Sequence, residues 1–221
     1  MHYRNILLFS LLSACFSLAA QPQEKGIFHY LLPQFTQGTV LLKNGTKNPA
    51  LLNYNAATEE MIFDQNGQKL AFAEVTLNQL DTVFIQDRRF VLLDNNKFAE
   101  VIHHDGYTLL VQHKCRIIPP GRPAAYGGTS QTSSVTSYSS WAESGRIYQL
   151  ELPNDFKVSN SMVFWLDDGN GLKSFSSMGQ IKKQYNKKKS LYTKYTKENK
   201  VDFKDLESVA ALVHYMETNT Q

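Results

Sequence analysis

The feature that most limits what this chain can fold into is a series of short apolar runs from Gly38 to Ile118, each closed by turn residues. Gly38-Thr39-Val40-Leu41-Leu42-Lys43 stops at Asn44-Gly45, and Glu60-Met61-Ile62-Phe63-Asp64 runs into Asn66-Gly67. Asn-Gly pairs accept the positive φ angles that tight hairpins require, so both mark chain reversals. Further β-like runs are Ala50 to Asn55, Leu70 to Val75, Thr82 to Gln86, Arg89 to Leu93, Phe98 to His103 and, longest, Tyr107 to Ile118. Strands at this spacing, with no helical period between them, predict an antiparallel sheet built as a sandwich or a partly open barrel.

Pro119-Pro120-Gly121-Arg122-Pro123 ends this series, because proline cannot sit in a central strand. A flexible loop is expected near 119–145, long enough that a binding role competes with simple flexibility. Strand pattern returns in Arg146 to Leu152 and Met162 to Leu166, and Asp167-Asp168-Gly169-Asn170-Gly171 then turns the chain into Leu172 to Phe175. After Ser176 the period becomes helical: Met178, Ile181 and Tyr185, then Leu191 and Tyr195, then Leu206, Val209, Ala210, Val213 and Met216. Asp202 or Asp205 is placed to cap the last helix. The expected class is therefore α+β: an antiparallel β domain over 21–175, followed by a short basic helical segment over 176–221.

Residues 1–20 read as a secretory signal peptide: Arg4 near the start, the apolar run Ile6 to Leu12, and small residues at Ser17, Ala19 and Ala20. Cleavage between Ala20 and Gln21 is expected. Leu12-Ser13-Ala14-Cys15 also has the order of a bacterial lipoprotein site, but Phe16 to Ala20 stays signal-like where a lipoprotein turns polar. Either route removes or lipidates Cys15, and since the chain has 2 cysteines, Cys115 then has no intramolecular partner. Stability must come from a core, which a chain with 42% hydrophobic residues can supply.

Gly38-Thr39-Val40-Leu41, Leu52-Asn53-Tyr54-Asn55 and Glu60-Met61-Ile62-Phe63, with a lysine-rich tail ending in Asn199-Lys200-Val201-Asp202-Phe203, resemble uncharacterised exported proteins of Bacteroidota over most of the mature chain. The resemblance implies a Gram-negative envelope setting, periplasmic or associated with the outer membrane, and carries no activity. It also makes Asp81-Thr82-Val83 look like the O-glycosylation sequence of such proteins.

Candidate chemistry is sparse. His103, His104, Asp105 and His113 fall within one predicted hairpin. A turn at Asp105-Gly106 would pair His104 with Tyr107 and His103 with Thr108, leaving His113 opposite Phe98. At about 3.3 Å per residue His113 is then too far from His103 to share an ion, so no metal is expected. Cys115 alternates with Leu109, Val111 and Ile117 and reads as core packing without a catalytic signature. Asp168-Gly169-Asn170-Gly171 opens like a calcium loop but fails at Leu172 and Lys173, which leaves a hairpin turn. No cofactor motif is present.

Charge is concentrated at the end of the chain, where 181–200 holds eight lysines against Glu198 alone. Lys182, Lys183, Lys187, Lys188 and Lys189, with Tyr126, Tyr138 and Trp141 of the 119–145 loop, are the candidate binding residues. Lysines interleaved with tyrosines suit anionic headgroups, and export argues against nucleic acid. The expectation is a non-catalytic exported envelope protein that binds a protein or glycan partner. Two alternatives stand beside it: a small envelope-polymer hydrolase using Glu143 with Asp167 or Asp168, and anionic lipid or lipopolysaccharide binding through the basic helices.

Overall fold

A computed structural model describes residues 29–118, 122–123, 129–130 and 157–219. The signal segment, most of the 119–145 loop with Tyr126, Tyr138, Trp141 and Glu143, and the strand expected over Arg146 to Leu152 lie outside the described residues.

Eight strands follow one another: β1 Thr36–Leu42, β2 Lys47–Asn55, β3 Glu60–Gln65, β4 Gln68–Ala71, β5 Leu80–Ile85, β6 Arg88–Leu92, β7 Phe98–Asp105 and β8 Tyr107–Ile118. Helix α1, Glu74–Gln79, interrupts them. Arg122–Pro123 (β9) and Thr129–Ser130 (β10) make a small separate pair. Strands β11, Lys157–Asp167, and β12, Leu172–Phe175, complete the main sheet. Its order is β12-β11-β8-β7-β6-β5-β1-β2-β3-β4, and every pairing is antiparallel. Three helices follow: α2 Met178–Gln184, α3 Lys189–Glu198 and α4 Leu206–Thr218, with a single 3-10 turn at Asn186–Lys188 between the first two. The α+β class expected from the sequence is the class observed.

The turns form for the reason read in the sequence. Asn66 and Gly67 both take positive φ, 54° and 87°, so the two-residue loop matches the twist of β3 and β4. The expected strand at Leu70 to Val75 is corrected: β4 stops at Ala71, and Glu74 begins a short helix whose Thr76 and Leu77 amides bond to the Ala73 carbonyl. Val75 lies on the solvent side of this turn while Leu77 reaches the core, a helical division rather than a strand's alternation.

The sheet curls. The turn between β2 and β3 reaches back to β7 and β8, where the Phe98 amide donates to Glu59 O (3.0 Å) and the Cys115 amide to Ala56 O (2.8 Å). Inside the curl, Val40, Leu52, Tyr54, Met61, Val83, Ile85, Phe90 and Phe98 form one core. Each such side chain, fully buried, contributes about 1.5–3 kcal/mol. A second core lies between β8, β11, β12 and the helices, where Leu109, Val111, Phe164, Leu166 and Phe175 meet Ile181, Tyr185, Val209, Leu212, Val213 and Met216. The helical segment is thus a layer on one end of the sheet.

One strand serves both cores. Tyr107, Leu109 and Val111 of β8 face the helices, while Cys115, on the same face farther along, joins the interior of the curl. β7 bulges at Ile102, because Val101 pairs with Leu110 but His103 pairs with Leu109. This corrects the hairpin register near its tip: Asp105 faces Tyr107 across Gly106, and His104 faces Thr108. Beyond the bulge Glu100 faces Val111, which is the register expected from the sequence.

Candidate functional site

The basic layer is built by α2 and α3. The Ser177 hydroxyl caps α2 by accepting from the Gln180 amide, and Ile181, Tyr185 and Tyr192 turn inward. Their burial fixes which side of each helix meets water. Lys182, Lys183, Lys187, Lys189, Lys194, Lys197 and Lys200 are exposed, and none takes part in an ion pair among the described residues. On α3 the side opposite Tyr192 carries an open recess of about 610 Å³ lined by Lys189, Ser190, Thr193, Lys194, Lys197 and Glu198. Three ammonium groups beside one carboxylate leave this face net positive, and two hydroxyls add neutral hydrogen-bonding groups.

Lys188 stands apart. Its Nζ donates to Met216 O at 2.5 Å and lies 3.3 Å from Asn219 O, so it closes the C-terminal end of α4, where helix carbonyls lack partners. The run Lys187-Lys188-Lys189 therefore divides into a structural cap flanked by two exposed charges.

A second constellation lies inside the curled sheet and was not anticipated. Arg88 Nε and Nη2 donate to the two oxygens of Glu100 at 2.7 and 2.6 Å, a bidentate pair. His113 Nε2 is 2.7 Å from Glu100 Oε2. A carboxylate only accepts, so Nε2 carries the proton there, and the 3.3 Å approach of Arg88 Nη2 to the same nitrogen joins two donors rather than forming a bond. Burial works to raise the Glu100 pKa, but the hydrogen bonds and charges of Arg88 and His113 outweigh it and hold the carboxyl below its ordinary value. The Tyr54 hydroxyl donates to His113 O at 2.8 Å, its ring stacks on Phe90, and burial pushes its pKa up. Arg88, His113 and Tyr54 are thus each tied to Glu100 or to its neighbours, which is the pattern of an internal brace.

The remaining candidates fall to structural roles. His103 stacks on Tyr107 (centroids 4.1 Å apart), and the Tyr107 hydroxyl is 3.1 Å from His214 Nδ1 of α4, so this side of the hairpin is a dock for the last helix. Among the described residues no group of three or more His, Cys, Asp or Glu side chains is arranged to hold a metal ion. Cys115 is half-buried, and burial together with Glu59 pushes its thiol up to about 11, away from the thiolate a nucleophile needs. Asp168 accepts from the Asn170 amide and pairs with Lys173, and Asp167 accepts from the Gly169 amide. Both carboxylates are spent on the β11–β12 turn. Thr82 is buried within β5, so its hydroxyl is not presented to a glycan-transferring enzyme in the folded protein.

The chain matches no protein-family model, no curated protein and no solved structure. Its function must therefore be argued from the two constellations themselves. The internal brace was missed in the sequence because Arg88, Glu100 and His113 lie on three strands. Its one local signal is Glu100, which shares the inward parity of Phe98 two residues earlier.

Proposed function

We propose that this protein is an exported, non-catalytic envelope protein, in the Gram-negative setting its sequence resemblance implies, and that it binds an anionic partner through the lysine face of α2 and α3. The observation that carries the reading is the recess on α3, where Lys189, Lys194 and Lys197 stand exposed with no ion-pair partner among the described residues. Exposed lysines on a helix seated through Tyr192 raise the local concentration of anions, and a surface rich in phosphate headgroups matches their charge. The hydrolase alternative pairs Glu143, which lies outside the described residues, with Asp167 or Asp168, whose carboxylates accept amide hydrogen bonds within the β11–β12 turn.

The test is co-sedimentation with vesicles. Wild-type protein should bind vesicles containing an anionic phospholipid and not purely zwitterionic ones, and binding should fall steeply as ionic strength rises toward the regime where the Debye length is about 8 Å. Lys189→Gln, Lys194→Gln and Lys197→Gln combined should remove most of that binding while leaving the thermal midpoint unchanged. Equal binding to both vesicle types, or no effect of the triple substitution, would overturn the proposal.

A further inference from the structure

Among the described residues, β11 is paired along only part of its outer edge. This strand pairs with β8 over its whole length, from Lys157 opposite Ile118 to Asp167 opposite Thr108. On its other side β12 covers only Phe164 to Asp167. Among the described residues nothing pairs with the outer edge of 157–163. Ser159, Asn160 and Ser161 are all exposed, and because successive residues point to opposite faces, three in a row show that both faces of this stretch are open. Backbone donors and acceptors at alternate positions of this stretch therefore have no strand partner among the described residues, in a strand already paired along its other side.

Natural edge strands are guarded by a proline, a bulge, an inward charge, sheer shortness or a covering helix or loop. From Val158 to Met162 there is no proline, bulge or charge, and no described strand lies beyond: the register against β8 runs without a break, and the nearest charge is Lys157 at the end. The sequence of the stretch is chemically symmetric, Val158-Ser159-Asn160-Ser161-Met162. Laid antiparallel on a copy of itself and centred on Asn160, it sets Val158 against Met162, Ser159 against Ser161, and Asn160 against Asn160. Apolar meets apolar and hydroxyl meets hydroxyl, pairings that stabilise facing strands. The two Lys157 side chains fall at opposite ends, separated by roughly 20 Å at about 3.3 Å per residue, well beyond screening distance. β12 ends opposite Phe164, so it leaves the track beside 158–162.

We infer that this edge is a self-association surface: two copies of the chain pair β11 to β11 about a two-fold axis through Asn160, continuing the sheet across both molecules. The interface is short and made chiefly of backbone hydrogen bonds, so it forms a reversible dimer whose population follows concentration. It lies on the sheet edge, and its test does not depend on the lysine face.

Mass measurement by light scattering across a concentration series reads it out. Wild type should shift from monomer toward dimer as concentration rises. Asn160→Lys and Asn160→Asp each place like charges face to face at the axis, so each alone should stay monomeric at every concentration. Mixed in equal amounts they should recover a dimer, because lysine then faces aspartate. Circular dichroism and the thermal midpoint of each variant, unchanged because the residue is exposed, show that the fold is intact. A wild type that remains monomeric throughout, or an equal mixture that fails to associate, overturns the inference. So does capture of an unrelated extended peptide by this edge with no self-association, which would make it a surface for a different partner.

Discussion

His29 offers a test in which the sign and size of an effect follow from burial alone. Its side chain is almost wholly buried, its ring lies 4.2 Å from that of Tyr30, and neither ring nitrogen has a hydrogen-bond partner among the described residues. Burial lowers its pKa from 6.5 to about 4. The unfolded chain therefore takes up a proton near pH 6.5 while the fold still excludes it, so stability is complete above that pH and declines as pH falls toward about 4. At about pH 4.5 the unfolded state is almost fully protonated at this ring and the folded state about a quarter so, which corresponds to a loss of roughly 2 to 3 kcal/mol. For a chain of this size that is a drop of roughly 5–10 °C in thermal midpoint. Glu100, Asp64 and Asp168, all held below their ordinary pKa, lose stabilisation in acid as well, so the comparison must be made against a variant and not against neutral pH alone. His29→Leu removes the titrating group without stranding a partner. Urea unfolding at about pH 7.5 and about pH 4.5 should show the wild type losing roughly 2 to 3 kcal/mol more than His29→Leu between the two conditions. Equal losses would mean that the ring accepts its proton inside the fold, and the argument from burial would be wrong.

Three further outcomes follow from the packing. Gly38→Ala places a methyl group 2.5 Å from the Phe84 carbonyl oxygen and 2.8 Å from Leu52 Cδ1, between β1 and its neighbours, and should cost about 1–3 kcal/mol in urea unfolding. Glu100→Ala leaves Arg88 and His113 facing each other without the carboxylate between them and should cost roughly 3 kcal/mol, whereas Arg88→Met combined with Glu100→Leu should cost less than that single change, a coupling that a double-mutant cycle measures. Lys188→Met, which removes the cap on the Met216 carbonyl but keeps the apolar stem, should lower stability by about 0.5–1.5 kcal/mol and leave vesicle binding intact, setting Lys188 apart from Lys189, Lys194 and Lys197.

Those parts of the fold that depend on local chemistry were legible in the sequence. Asn66-Gly67 specified its turn because few other pairs accept two positive φ angles, and the stripe from Leu206 to Met216, started by Asp205 accepting from the Glu207 amide, specified α4. What depends on register was not legible. The bulge at Ile102 shifts the register of the β7–β8 hairpin tip by one residue, yet Val101-Ile102-His103 carries no mark that distinguishes it from regular strand. The brace of Arg88, Glu100 and His113 exists only because β6, β7 and β8 lie side by side in that register, so no spacing within the chain announces it. Helix α1 was misread because Leu70 to Val75 is apolar apart from Glu74, and so short an apolar run shows no period that separates strand from helix; β4 ends at Ala71 and the helix begins at Glu74.

Strand β11 shows the same dependence and bears most directly on what the protein does. Sequence pattern supports a strand only from Met162, because Lys157-Val158-Ser159-Asn160-Ser161 has the composition of a loop. The strand nonetheless begins at Lys157, since β8 extends to Ile118 and supplies a template for every residue from there on. Where the partner on the far side is β12, the side chains of β11 are Phe164, Trp165 and Leu166, and they are packed. Where no described strand lies beyond, they are Ser159, Asn160 and Ser161, and they are exposed. Hydrophobicity along β11 thus tracks how much of the sheet continues past it, and the polar half is a strand by virtue of its neighbour rather than its own propensity. From Val158 to Met162 the segment is extended, has no proline or bulge, and has no described strand beyond it. Because β8 already fixes this stretch as strand, the Asn160 charge swap perturbs only what lies beyond its outer edge, and the fold of each variant should be unchanged.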